Sequence, residues 1–145
     1  MIFMINQSLE NGNIAEKADK TDLELQDLRI SKDKLESMVG DGELFSLVIE
    51  AYRYLLDGEL QSSIELFDRV LEEDKKRPEV WYGKGLISLL LGDFDAAIQF
   101  FEKSISLEPD FKDALYEKGV ALHEKGQTKE ALEYWQRARE EDRDF

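Results

Sequence analysis

Cysteine is absent from this 145-residue chain, histidine occurs once and proline twice. Without cysteine there is no disulfide framework and no thiolate to act as nucleophile or metal ligand, which fits a cytoplasmic protein. With His123 as the lone imidazole, no histidine-based metal site or proton relay can be assembled within the chain. Basic residues are scarce as well: 19 Lys and Arg stand against 33 Asp and Glu, a formal charge of -14. That balance argues against nucleic acid, whose phosphates need clustered Lys and Arg, and points to a neutral or basic partner. Long apolar runs are missing too. No stretch approaches the roughly 20 apolar residues of a membrane span. Met1 to Ile5 is apolar but too short for a signal core, and no basic residue precedes it. A phosphate loop is also lacking, because Gly83 and Gly85 fall inside a helical pattern rather than after a strand. Carboxylates recur on helix faces, as at Glu102/Lys103 and Glu130/Glu133, and read as solvated surface. The expectation is a non-enzymatic protein with no cofactor, no bound metal and no membrane contact.

What the chain does have is a period. Gly58, Gly92 and Gly126 are spaced by 34 residues both times. Each closes one amphipathic stretch and opens another, the mark of stacked supersecondary units. From Leu44 onward the chain divides into units 44–77, 78–111 and 112–145, each predicted as a helix, a break at the glycine and a second helix. In the first helices, Leu47/Tyr54, Trp81/Ser88 and Leu115/Leu122 repeat a spacing of two turns along one face. Ala51, Gly85 and Gly119 lie between them, where two helix backbones can approach closely. In the second helices, Ser63/Phe67, Ala97/Phe101 and Ala131/Trp135 put a small residue one turn before an aromatic, which lets two helices interlock. Pro109 follows the second helix of the middle unit, where it cannot prolong it. On this pattern Trp81 and Phe101 are expected in the core, so that Trp81→Ala largely unfolds the repeats.

Residues 1–43 differ. Asn11-Gly-Asn13 and the mixed charges from Glu16 to Asp22 give no sustained apolar period and read as loop or disorder. Ser31 can cap a short helix over 31–39, with Leu35, Met38 and Val39 on one face and Gly40 as its stop. At the other end, His123-Glu-Lys125, Thr128, Arg139 and Glu141 stand where the middle unit has Leu89-Leu-Leu91, Phe94, Ile105 and Leu107. A terminal repeat needs such a polar outer face because nothing stacks on it.

The units resemble the tetratricopeptide repeat, whose pattern is Trp…Leu-Gly…Tyr…Ala…Phe…Pro over 34 residues. The middle unit supplies Trp81, Gly85, Gly92-Asp93-Phe94, Ala97, Phe101 and Pro109. The third supplies Gly119, Gly126, Ala131, Trp135 and Ala138, and the first Ala51, Tyr54, Gly58 and Phe67. Departures are Glu50, Lys84 and Lys118, where the family favours Leu, and Ser88, where it favours a large aromatic. The resemblance implies an all-α fold: a right-handed α-solenoid of three helix-turn-helix repeats, here preceded by a polar N-terminal extension.

It also implies a concave face lined by the first helices. Carried over one at a time, its positions are Phe45, Val48, Tyr52 and Leu55, then Glu79, Tyr82, Leu86 and Leu89, then Asp113, Tyr116, Val120 and His123. Their spacing of three to four residues makes one stripe per helix. The stripes are apolar and aromatic, as befits a groove for a peptide or helix with Tyr52, Tyr82 and Tyr116 as anchors. Glu79, Asp113 and Glu117 favour a partner carrying Lys or Arg beside apolar residues. The family's clamp for a C-terminal carboxylate is not matched, since its positions are Val48, Tyr52, Gly83, Asp113 and Glu117 here. On this expectation Leu86→Glu removes partner capture without loss of helix.

The leading expectation is thus a protein-interaction module. Its alternatives are a homodimer that buries the stripe between two copies, or a groove filled by the chain's own N-terminal segment. An apolar stripe gains about 1.5–3 kcal/mol per side chain on burial, and a tethered amphipathic segment reaches it at high effective concentration. Part of residues 23–39 is therefore predicted to dock on the repeats. Hydrogen exchange tests this: slow exchange within 23–39, and faster exchange of the stripe once residues 1–42 are removed, are the expected results.

Overall fold

In the computed structural model, residues 42–140 are described, and they form α-helices only. These are α1 (Glu43–Leu56), α2 (Leu60–Glu73), α3 (Pro78–Leu90), α4 (Phe94–Leu107), α5 (Lys112–Glu124) and α6 (Thr128–Glu140). The expectations for 23–39, including the short helix at 31–39, and for Glu141 lie outside the described residues. The described residues divide into two compact units that part between Lys75 and Lys76. In the first, α1 pairs with α2; in the second, α3 pairs with α4, α5 with α6, and α4 also packs on α5. The helix-turn-helix architecture expected from the period is the one observed.

One local device makes all three turns. At the end of α3, the Gly92 N–H donates to the Leu89 carbonyl at 3.0 Å and the Asp93 N–H to the Ser88 carbonyl at 2.9 Å. This pair of bonds satisfies carbonyls that the helix end leaves open, and it requires a left-handed residue between them. Gly92 takes φ +77°, where a Cβ would be strained. The same bonds recur at Gly58 (Gly58 to Leu55, Glu59 to Tyr54) and at Gly126 (Gly126 to His123, Gln127 to Leu122). Asp93 then caps α4, its carboxylate accepting from the Ala96 N–H at 3.1 Å. The helix stop and the next start thus share neighbouring residues, which is why the period is so strict.

Within each pair the second helix presses a ring or a hydroxyl onto the first. Phe101 is fully buried over Gly85, so close that a Cβ added there would penetrate its ring. Trp135 sits on Gly119 in the same way, and its Nε1–H donates to the Tyr116 carbonyl at 3.1 Å. Contact at these glycines is therefore ring to backbone, not the backbone to backbone approach expected from their size. In the first pair Ala51 takes the place of glycine, and the buried Ser63 hydroxyl donates to the Ala51 carbonyl at 2.7 Å. Ser104 likewise ties α4 to the start of α3 by donating to the Pro78 carbonyl at 2.9 Å. Pro78 itself opens α3, where its missing N–H costs nothing.

One expectation is corrected. Trp81 is half-buried rather than a core residue: its ring stacks on Phe100 with centroids 6.1 Å apart and lies beside the Lys84 and Lys103 ammonium groups. Leu47 and Tyr54, its partners in the expected core face, are half-buried as well, although Leu115 and Leu122 are buried. The deepest residues of α3 are instead Val80, Tyr82 and Leu86, all with no accessible surface. The reason is compositional: α3 is apolar nearly all round, and periodicity cannot choose an inner side on such a helix.

Phe101→Ala is expected to destabilise the protein by roughly 3–5 kcal/mol, because it empties a fully buried ring site. Trp81→Ala is expected to cost clearly less, since half-burial leaves less apolar surface to lose. Urea unfolding of the two variants checks the order; an equal or larger loss at Trp81 would contradict this packing.

Candidate functional site

The twelve residues proposed for a groove, together with Phe45, divide by burial. On α1, Val48, Tyr52 and Leu55 have no accessible surface, and Phe45 is half-buried. The Tyr52 ring meets Phe67 edge-on, with centroids 5.2 Å apart and planes at 78°. On α3, Glu79, Tyr82, Leu86 and Leu89 are buried. Tyr82 lies between two rings, 5.8 Å from Phe101 and 5.2 Å from Phe111, where α3, α4 and the start of α5 meet. On α5, Glu117 is buried, Asp113, Tyr116 and Val120 are half-buried, and His123 is exposed. The expectation of an exposed apolar stripe along every first helix is therefore corrected. Apolar side chains on α1 and α3 have left water, the favourable outcome for that much apolar surface. Leu86→Glu would drive a charge into a dry site and destabilise the fold, so it cannot separate binding from folding.

The acid expected at the groove is largely consumed internally. Arg77 Nε pairs with Glu79 Oε1 at 2.9 Å, with both side chains about 95% buried (5% and 4% exposed). Arg77 is in extended conformation (φ -116°, ψ 96°) because the residue before a proline is barred from the helical region. That turn of the chain brings side chains two apart together, which a continuous helix would hold on different faces. Sequence reasoning missed Arg77 for that reason; the dipeptide Arg77-Pro78 was the available signal. Two charges in low dielectric hold each other tightly, and removing one alone is costly.

What remains accessible is one stripe of α5. Asp113, Tyr116, Val120 and His123 follow the helical repeat, and Trp135 of α6 backs them. The Trp135 ring lies 6.1 Å from Tyr116 and 5.7 Å from His123. His123 Nδ1 is 3.2 Å from the Thr128 hydroxyl across the Gly126 turn. The arrangement offers two aromatic surfaces, a valine, an imidazole and one carboxylate. Such a mixture suits an amphipathic segment. Trp135 entered the sequence reading only as a packing residue; its indole N–H, absent from its counterpart Phe101, was the sign of a more polar setting.

The last helix has a second feature. Leu132, 57% exposed, lines a shallow cavity of about 380 Å³ with Trp135, Gln136, Arg139 and Glu140, all on α6. His123, Glu124, Lys125, Thr128 and Arg139 are exposed, and Leu132 interrupts that polarity. Among the described residues no helix is long and apolar enough to cross a membrane.

Family models described as the tetratricopeptide repeat match residues 78–111 and 100–133. The chain is 36% identical over 63 residues to the protein MJ0572 of Methanocaldococcus jannaschii, covering 43% of this chain and 73% of that one. It is 42% identical over 65 residues to the photosystem I assembly protein Ycf3 of Acaryochloris marina, but spans only 39% of that protein's length. Among solved structures, the crystal structure of MamA superposes with a TM-score of 0.67 over 96% of this chain and 78% of MamA, at 24% identity, a likeness of fold alone.

The buried Arg77–Glu79 pair yields a stability prediction. Arg77→Met is expected to cost roughly 3–5 kcal/mol, since it takes the cation away from the buried Glu79 carboxylate, and adding Glu79→Leu is expected to recover much of that loss. Denaturant titration of the single and double variants checks it; no recovery in the double variant refutes the coupling.

Proposed function

Since the chain belongs to the tetratricopeptide repeat family, we propose that it is a non-enzymatic interaction module that holds a segment of another protein. The observation that carries this reading is the partly open stripe of α5, with Tyr116, Val120 and His123 set against Trp135. A partner helix or extended peptide would lay apolar side chains on Tyr116 and Val120. Asp113 would receive a Lys or Arg from it, so the partner is apolar with basic residues. The buried positions of α3, from Glu79 to Leu89, would support this surface from within. Ycf3 carries an assembly role in its name. By analogy, we propose a part in assembling or scaffolding other proteins, in the cytoplasm.

A second reading is self-association. The exposed Leu132 beside Trp135 and its cavity would suit burial against another copy of the chain. Sedimentation across a range of concentrations separates the two, because only self-association makes mass rise with concentration.

The test of the leading reading uses a synthetic amphipathic peptide of alternating lysine and leucine turns, followed by calorimetry. Wild-type chain is expected to bind it. Asp113→Lys with Val120→Glu is expected to weaken binding about tenfold or more, a difference near 1.4 kcal/mol, while the circular dichroism stays unchanged. Equal binding by this variant would move the contact off α5.

A further inference from the structure

The two lysines that depart from the family pattern in the second compact unit, Lys84 on α3 and Lys118 on α5, share one construction. Lys84 Nζ lies 5.2 Å from the Phe100 ring centroid and 5.9 Å from that of Trp81. Lys118 Nζ lies 4.1 Å from the Tyr134 centroid and donates to the Tyr134 hydroxyl at 2.6 Å. Phe100 and Tyr134 are one period apart, and so are Lys103 and Arg137, which complete each cluster. The Lys103 ammonium is 5.6 Å from the Trp81 ring, and the Arg137 guanidinium is 5.1 Å from the Tyr134 ring. A cation–ring–cation arrangement is thus built twice, its cations in phase, around Trp81 in one cluster and Tyr134 in the other. An ion pair between Lys118 and Glu102, at 3.2 Å, joins the two clusters across the α4–α5 contact.

How these cations are held matters more than their number. Some other basic groups of this unit are paired with acids, as in Arg77–Glu79 and Lys125–Asp95. A carboxylate orients a cation and cancels its charge. An aromatic face orients a cation through its quadrupole and leaves the charge in place. Lys103 and Arg137 are exposed, and neither makes an ion pair within 4.0 Å with another described residue. Their charged ends rest against the ring faces, and both side chains remain accessible to water. On a chain of net charge -14, this face carries two exposed cations, without an ion pair to another described residue, beside half-buried aromatic rings.

We propose that this face, made by α3 to α6, docks an acidic segment of a partner protein. Its carboxylates would reach Lys103 and Arg137, the latter able to take one in two parallel hydrogen bonds. Its apolar residues would rest on the edges of the Trp81–Phe100 stack and of Tyr134. Charge complementarity selects a peptide over nucleic acid. Two exposed cations release too few counterions to hold a phosphate backbone against the charge of the whole chain. Repulsion from the protein's remote carboxylates is screened beyond about 8 Å at physiological ionic strength, so a short acidic segment still reaches the face. These residues are distinct from the α5 stripe, and the partner sought is of opposite charge, so the proposal stands or falls separately from the function proposed above.

The experiment uses the full chain and three fluorescent probes: a peptide of repeated Glu-Glu-Leu, its Lys-Lys-Leu counterpart, and an oligothymidylate. Anisotropy is expected to show binding of the acidic peptide. Lys103→Met with Arg137→Met, which removes the charges and keeps unbranched apolar side chains, is expected to weaken that binding about tenfold. Binding of the basic peptide is expected to be unchanged in the same variant. Lys103→Glu with Arg137→Glu should abolish capture of the acidic peptide. No binding of the acidic peptide by wild-type chain, equal affinity in the methionine variant, or tighter binding of the oligothymidylate would each overturn the proposal.

Discussion

The structure depends on a ring seated against a bare backbone. Phe101 over Gly85 and Trp135 over Gly119 bring the paired helices closer than any side chain at those glycines would allow. Dispersion contacts fall steeply with separation, so this proximity is what lets the remaining side chains interlock. The hydrogen bonds that tie each pair, from Ser63, Ser104 and the Trp135 indole, are short only because the helices have already met. The left-handed glycine turns serve the same end, delivering the second helix at the angle from which its ring can reach the first.

Once the helices are that close, the fate of the apolar stripes follows. On α3 nearly every side is apolar, and the residues nearest the Phe101 and Phe111 rings, Tyr82 above all, become interior. On α5 the same positions are more polar. Asp113, Tyr116, Val120 and His123 keep contact with solvent, while Trp135 closes the space behind them. Position in the repeat is shared between the two helices; composition decides which of them has a surface to offer. The acids behave likewise. Glu79 is held by Arg77 in the interior, and Asp113 alone of the three expected acids keeps access to water.

Charge is organised by the same packing. Lys84 and Lys118 occupy interhelical positions where an aliphatic residue would simply be buried, and each escapes by resting its ammonium group on the aromatic ring of the paired helix. Lys103 and Arg137, on the second helices, rest on the Trp81 and Tyr134 rings. A chain whose total charge speaks against anionic partners still exposes Lys103 and Arg137 beside aromatic rings. Totals are summed over the surface, whereas recognition is read within a few ångströms.

The fold was legible in the sequence because its determinants are local and repeated. Glycine at 58, 92 and 126, Pro109 past a helix end, and a small residue one turn before an aromatic act through backbone geometry and near neighbours. Burial was less legible. Trp81 and Tyr82 are adjacent and both aromatic, and nothing in their spacing says which faces inward; the rings of Phe101 and Phe111, brought from elsewhere in the chain, decided for Tyr82. The Arg77–Glu79 pair and the contacts of Lys84 with Phe100, Lys103 with Trp81 and Lys118 with Tyr134 were hidden for a related reason, since they join groups that a single helical wheel does not bring together. The sequence by itself determined that this chain forms helix-turn-helix repeats, because turns and helix caps are satisfied within a few residues. Only the tertiary structure decided which apolar residues are core, which acids are neutralised and which cations stay uncancelled, because burial and pairing depend on atoms supplied by other helices.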